Sequence, residues 1–254
     1  MQNQQPSTLK EIRVHGTQDF PCAFYQTGTR IRGNMVKHHW HEEVELLYFS
    51  GGEFCLEINM ERFEISEECF YFINPGELHS ISVEKNGGCV ENAVVFHMDM
   101  LSSAYALDQI QTNLIQPVQN GSIQFPRCLR KNEPAFEPVR KSYEEIRNVF
   151  GGDSFRENYY DGEAVTDDIT RQLFIKSALL RILAVLSANN LFEVTEKNHD
   201  RRIETIKTTL TYIQENYKEK IYIRDLADLI GMNEQYFCRF FKKVIGRSPM
   251  EYVN

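Results

Sequence analysis

Tyr236-Phe237-Cys238-Arg239-Phe240-Phe241-Lys242-Lys243-Val244-Ile245-Gly246-Arg247-Ser248-Pro249-Met250-Glu251-Tyr252 is the most informative stretch of the 254-residue chain. Phe237, Phe240, Phe241 and Val244 recur at three- and four-residue steps, which places them on one face of a helix. Asn233 can cap that helix at its start, predicted at Glu234, and Gly246 can end it after about Ile245. Just upstream, residues 222–230 form a short amphipathic segment closed by Gly231, so the order is helix, tight turn, helix. A further stripe of Ile203, Ile206, Leu210, Ile213 and Tyr217 predicts a supporting helix before it. After Gly246, Ser248 can serve as N-cap, Pro249 as first helical residue and Glu251 as the third, a capping box that opens another helix.

In a helix-turn-helix the second helix lies in the DNA major groove, with exposed residues near its N-terminus against base edges. Glu234, Gln235, Cys238, Arg239 and Lys242 fall off the apolar face and are the candidate DNA-facing residues. Arg239 suits guanine and Gln235 suits adenine, because each makes two hydrogen bonds to one base edge. Lys242, Lys243 and Arg247 are placed to meet phosphates. The net charge of −8 opposes polyanion binding only on average. Residues 201–254 hold ten Lys/Arg and seven Asp/Glu, whereas residues 1–200 hold eighteen and twenty-nine. Charge thus changes sign where a domain boundary is expected. The alternative for this segment is a small orthogonal helix bundle whose basic residues only face solvent.

The segment from Tyr236 to Tyr252 resembles the first helix-turn-helix of AraC/XylS-type transcription regulators, including the signature F-K-K-x-x-G-x-S-P-x-x-Y. The resemblance implies operator DNA as partner, a small-molecule effector and a homodimer. In that family a linker helix leads to a second helix-turn-helix. The chain stops at Asn254 in the first turn of that helix, so an incomplete DNA-binding domain is expected.

The N-terminal part reads differently. From Arg13 to about Met98 short alternating runs such as Phe54, Leu56, Ile58 and Phe63, Ile65 are separated by turn signals at Gly51-Gly52, Asn74-Pro75-Gly76 and Asn86-Gly87-Gly88. This spacing predicts a β-barrel or sandwich. Gly33, His39, His41, Glu45 and Gly52 resemble the first cupin motif, G-x5-H-x-H-x3-E-x6-G, and Pro75-Gly76-Glu77-Leu78-His79 resembles the core of the second. Cys69 and Val83 stand where the second motif usually has Gly and Asn. By this resemblance His39, His41, Glu45 and His79 converge inside the barrel. They are expected to line a polar effector pocket, sugar-binding by the family's pattern, with no cofactor and no metal favoured; if a metal is held, these four are its ligands. A metal-dependent cupin isomerase or dioxygenase is the alternative reading, and a ligand-binding dimeric fragment without autonomous DNA binding is a third. His38 and Trp40 alternate with the pair and are expected to point outward, His38 to the surface.

Between Leu101 and Glu133 prolines and Gly121 predict a loop-rich return. Helices are predicted over 136–150 and about 167–188, the second with Ile169, Leu173, Phe174, Leu180, Leu183 and Leu186 as a broad face serving either core or dimer. The expected architecture is α+β and two-domain. A cupin-like double-stranded β-helix barrel with trailing helices spans 8–190 and also dimerises. A linker covers 191–201, and an all-α helix-turn-helix subdomain covers 202–254. Six scattered cysteines without a Cys-x-x-Cys pair predict reduced thiols. With no apolar run long enough for a membrane span and no apolar signal core, the sequence predicts a cytoplasmic protein without membrane attachment; with no Gly-rich phosphate loop, Ser-His-Asp arrangement or H-E-x-x-H helix, it predicts no catalytic activity.

Overall fold

The computed structural model describes residues 10–11, 13–29, 33–83, 89–105, 107–151, 160–161, 168–195 and 201–253. Eight strands come first: β1 (Cys22–Thr29), β2 (Gly33–His39), β3 (Val44–Phe49), β4 (Phe54–Ile58), β5 (Glu61–Ile65), β6 (Cys69–Ile73), β7 (His79–Val83) and β8 (Cys89–Phe96). They divide between two antiparallel sheets. One runs β2-β7-β4-β5; the other places β6, β3, β8 and β1 side by side. The turn between β4 and β5 is Asn59-Met60, both in the left-handed region with φ of 49° and 72°, as a tight hairpin requires.

The inner faces of the two sheets enclose a core that includes Leu47, Phe49, Leu56, Ile73, Ile81 and Val95. The outer face of the larger sheet is also apolar, because helices cover it. After β8 come a 3-10 turn (Met98–Leu101), a π-helical turn (Gln111–Ile115) continuing into α1 (Gln116–Gln119), then β9 (Ile123–Gln124) and β10 (Cys128–Arg130). The stretch read from sequence as a loop-rich return therefore supplies an edge strand, since β10 pairs with β6. Next are α2 (Phe136–Val149), β11 (Tyr160–Asp161), α3 (Ile169–Ala188) and β12 (Glu193–Val194). β11 extends the larger sheet beside β1, and β12 pairs with β9.

Helix α2 packs Phe136, Val139, Tyr143 and Ile146 on Phe24, Phe70 and Val94 of the sheet, together with Leu179, Ile182, Leu183 and Leu186 of α3. Asp168 caps α3, accepting from the amides of Thr170 and Arg171. The broad face read for α3 divides in two. Leu183 and Leu186 are buried, whereas Ile169, Leu173, Phe174 and Leu180 point to solvent, with Leu173 61% and Phe174 58% exposed.

The C-terminal helices are α4 (Arg201–Asn216), α5 (Ile223–Leu229), α6 (Glu234–Ile245) and α7 (Pro249–Val253). Ile206, Leu210 and Ile213 of α4 pack with Leu226 of α5 and Phe237, Phe240 and Phe241 of α6. Tyr217, read as the end of the α4 stripe, is exposed because the helix stops at Asn216. The linker expected over 191–201 contains β12, and residues 196–200 lie outside the described residues, as does the Asn86-Gly87-Gly88 turn. Cys22, Cys69, Cys128 and Cys238 are free thiols. Among the described residues no helix is long and apolar enough to cross a membrane.

Candidate DNA-reading helix and effector pocket

Helix α6 is set by local chemistry at both ends. The Asn233 side chain accepts from the Tyr236 amide at 2.8 Å, and Gly246 closes the helix with φ of 78°, a left-handed cap that glycine adopts without strain. The capping box of α7 forms as read: the Ser248 amide donates to Glu251 at 2.7 Å and the Glu251 amide to Ser248 Oγ at 3.3 Å. With Phe237, Phe240 and Phe241 buried, Glu234, Gln235, Arg239, Lys242, Lys243 and Arg247 are exposed, and Cys238 is partly covered. The Arg239 side chain folds back so that its Nε donates to the Gln235 carbonyl at 3.4 Å. Tyr236 shares this exposed face at 52%. It lies beside the candidate readers, and the sequence reading did not place it there.

The second constellation forms at one end of the barrel. His39 and His79 are directly paired across β2 and β7; His41 follows β2, and Glu45 comes across from the other sheet on β3. Donor atoms of His39, His41, Glu45 and His79 all lie within 4.8 Å of one another. The turn that delivers His79 is tightly tied. Glu77 accepts from the Asn74 amide at 2.8 Å and from Arg127 Nη1 at 2.7 Å, and Asn59 Nδ2 donates to it at 3.1 Å. The Gly76 amide also donates to the His41 carbonyl at 2.7 Å.

Each of the three imidazoles has its Nδ1 against a backbone carbonyl: His39 on Lys37 at 2.9 Å, His41 on Glu43 at 3.2 Å and His79 on Glu77 at 2.9 Å. A carbonyl only accepts, so Nδ1 carries the proton and a neutral ring turns its Nε2 lone pair inward. Glu45 Oε2 lies 3.4 Å from His41 Nε2 and 2.9 Å from His79 Nε2. Burial works to raise the Glu45 pKa, but the facing His41 and His79 rings hold it well below the usual carboxylate range. Burial, reinforced by His79, pushes His39 down to about 4. Inward acceptors facing a carboxylate need positive charge among them, supplied by protonated imidazole or a bound cation. A backbone-fixed tautomer with three nitrogens and one oxygen converging fits a divalent transition metal, which in such a set acts as a Lewis acid toward bound oxygen ligands. His39, His41, Glu45 and His79 are the residues that would hold it.

Two further groups join the pocket that the sequence reading did not assign to it. Glu11, His15 and His41 form a second cluster of closely spaced donor atoms. Glu11 Oε2 lies 3.4 Å from His39 Nε2 and 3.5 Å from His15 Nε2. No periodic signal marks them; a His four residues after a Glu is their only trace in sequence. His38 is less exposed than expected. Its Nε2 lies 3.0 Å from Glu57 Oε2 and 3.3 Å from Ser80 Oγ, so it ties β2 to its sheet.

The comparisons with known proteins agree with both halves. Residues 24–147 match the family profile for the AraC-like ligand binding domain, and residues 213–254 match that for bacterial regulatory helix-turn-helix proteins of the AraC family. The chain thus carries a cupin-like, AraC-like ligand-binding domain ahead of an AraC-family helix-turn-helix, the arrangement of an AraC-type transcription regulator. It is 26% identical over 253 residues to the uncharacterized HTH-type transcriptional regulator YdeC of Bacillus subtilis (strain 168), covering 96% of this chain and 78% of that protein. Among solved structures, apo ToxT from Vibrio cholerae aligns over 94% of this chain and 98% of its own at 9% identity, with a TM-score of 0.39. A predicted oxalate decarboxylase from Thermotoga maritima aligns over 30% of this chain and 67% of its own at 26% identity, with a TM-score of 0.28.

Proposed function

We propose that this protein is a cytoplasmic, sequence-specific DNA-binding regulator. Its barrel binds a small polar metabolite through His39, His41, Glu45 and His79, and its α6 reads operator bases through Gln235 and Arg239. By the family resemblance a sugar is the expected effector. Residues 8–190 form the sensing and dimerising unit, 191–201 the linker and 202–254 the DNA-binding unit.

The observation that carries this reading is the contact between the pocket and α4. Leu78 is 3% exposed and packs in the cluster of Ile206, Leu210 and Phe237, with Trp40 against the same cluster. The Lys207 ammonium lies 4.9 Å from the centre of the Trp40 ring. Trp40 sits between His39 and His41 in sequence, and Leu78 immediately precedes His79. Three of the four pocket residues are thus covalent neighbours of the two barrel residues that support the DNA-binding helices. A ligand that binds one pocket arrangement better than another shifts the population of α4 placements by that difference in affinity.

A second reading concerns the pocket alone. The inward Nε2 lone pairs around Glu45 favour a divalent cation at the quartet, through which the effector would be held. The exposed apolar stripe of α3 supports a homodimer, because Leu173 and Phe174 are large, uncharged and exposed on a helix otherwise anchored in the core.

Selection of bound sequences from a random duplex library, followed by affinity measurement, tests the DNA assignment. Arg239→Ala is expected to cost about 1 to 3 kcal/mol and to relax the preference at one base pair. Unchanged affinity and preference would remove Arg239 from the reading surface.

A further inference from the structure

Resting on the reading of the barrel as an effector pocket, we infer that the effector is a small carboxylic acid and that the Glu11 carboxylate is its internal stand-in. Glu11 does not belong to the barrel strands. It is brought there by a short bridge in which Lys10 pairs with Trp40 and the Glu11 amide donates to the Trp40 carbonyl at 2.9 Å. Lys10 adds an exposed ion pair with Glu42 at 2.7 Å and lies 5.0 Å from the centre of the Trp40 ring. Further along the segment Arg13 lies over the Tyr25 ring at 4.6 Å; the Lys10–Glu42 pair is exposed, and exposed ion pairs contribute little.

The other side of the site is buried, and Glu11 meets it only at 3.5 Å. The His15 side chain is 4% exposed. Its Nδ1 lies 2.8 Å from the Tyr25 hydroxyl, and its Nε2 makes no hydrogen bond. Glu11 approaches that nitrogen without satisfying it. When the Tyr25 hydroxyl donates to His15 Nδ1, the proton sits on Nε2, and a free carboxylate not tied to the backbone bridge can close on that nitrogen and accept from it. Exchanging one carboxylate for another leaves the charge of the pocket unchanged. A neutral polyol would displace Glu11 without replacing its charge, and would leave the quartet with one fewer anion. The acid must also be small, because the barrel beyond the quartet is filled by Leu47, Leu56, Ile73 and Ile81, all 2% exposed or less.

Isothermal titration calorimetry on the full chain tests this with acetate, pyruvate, malonate and succinate as probes, against acetamide, malonamide and arabinose. Wild type, Glu11→Ala and the isosteric Glu11→Gln are compared. If Glu11 occupies the site in about nine molecules of ten, its removal tightens carboxylate binding about tenfold. Both variants should show this gain, and the amides should show none. Equal carboxylate affinity in wild type and variants, or no saturable carboxylate binding to either variant, overturns the inference. Arabinose binding that is lost in His79→Ala, with no carboxylate binding, would do so while leaving the effector-pocket reading intact. Carboxylate binding unaffected by His79→Ala would overturn that reading itself, because the ligand would then lie outside the barrel.

Discussion

Leu78→Ala tests whether the barrel holds α4 through a packed contact or merely lies near it. Leu78 is 3% exposed and sits among Ile206, Leu210 and the α6 phenylalanines. Leucine-to-alanine changes in cores cost about 2 to 5 kcal/mol, and the cost falls where the surroundings close over the gap. Here α4 can settle toward the shortened side chain, so the low end, about 2 kcal/mol, is expected. That loss falls on the contact, because the cores between the sheets and under α2 and α3 do not include Leu78. Trp40 is the sole tryptophan and lies between the Lys10 and Lys207 ammoniums on that contact. Its emission therefore reports the contact, while far-ultraviolet circular dichroism reports all helices and strands. With a urea dependence of about 2 kcal/mol per molar, the Trp40 transition should move down by about 1 M in Leu78→Ala. It should also separate from the transition of the barrel core. A single transition, coincident by both probes and unmoved from wild type, would refute the reasoning: Leu78 would then contribute nothing to holding the helices.

Two other outcomes follow from the packing. Phe174→Asp puts a charge in the exposed stripe of α3 without touching the core, so the proposed homodimer should dissociate in sedimentation at unchanged thermal stability; a monomeric wild type would contradict the proposed dimer, and a persistent dimer would place the interface elsewhere. Glu91 is 2% exposed, and among the described residues its Oε1 has no hydrogen-bond partner. Burial, with Glu45 adding to it, raises its pKa well above 4.5. The folded state thus binds this proton more tightly than the unfolded state does. Its contribution to stability is complete below the unfolded value near 4.5 and is lost as pH rises toward the folded value. Glu91→Gln should therefore be more stable than wild type at pH 8, with the gain shrinking toward pH 4 in denaturant titrations; a pH-independent difference would contradict the assignment.

Features fixed by neighbours in sequence were legible in advance. Asn233, Gly246 and the Ser248–Glu251 box are local hydrogen-bonding devices, and each forms where the residue types place it. His39, His41, Glu45 and His79 were legible through motif spacing, and the structure brings their donor atoms together. Glu11 and His15 were not legible, because the bridge of Lys10 to Trp40 spans thirty positions and leaves no periodic trace. Nor could periodicity divide α3 into a core face and an exposed face. That helix is apolar on both sides, and only the position of α2 decides which side is covered. The β10 edge strand is three residues long in a proline-rich stretch, too short for alternation to reveal.

The central claim is that the pocket and the DNA-reading helix are coupled through Trp40 and Leu78, and coupling between binding sites is reciprocal. Hydrogen exchange on the full chain, with and without a duplex selected from the random library, tests it most directly. DNA should change protection not only in α6 but also in the backbone around Trp40 and Leu78 and along β7. Protection confined to α5, α6 and α7, with the barrel amides unchanged, would contradict it.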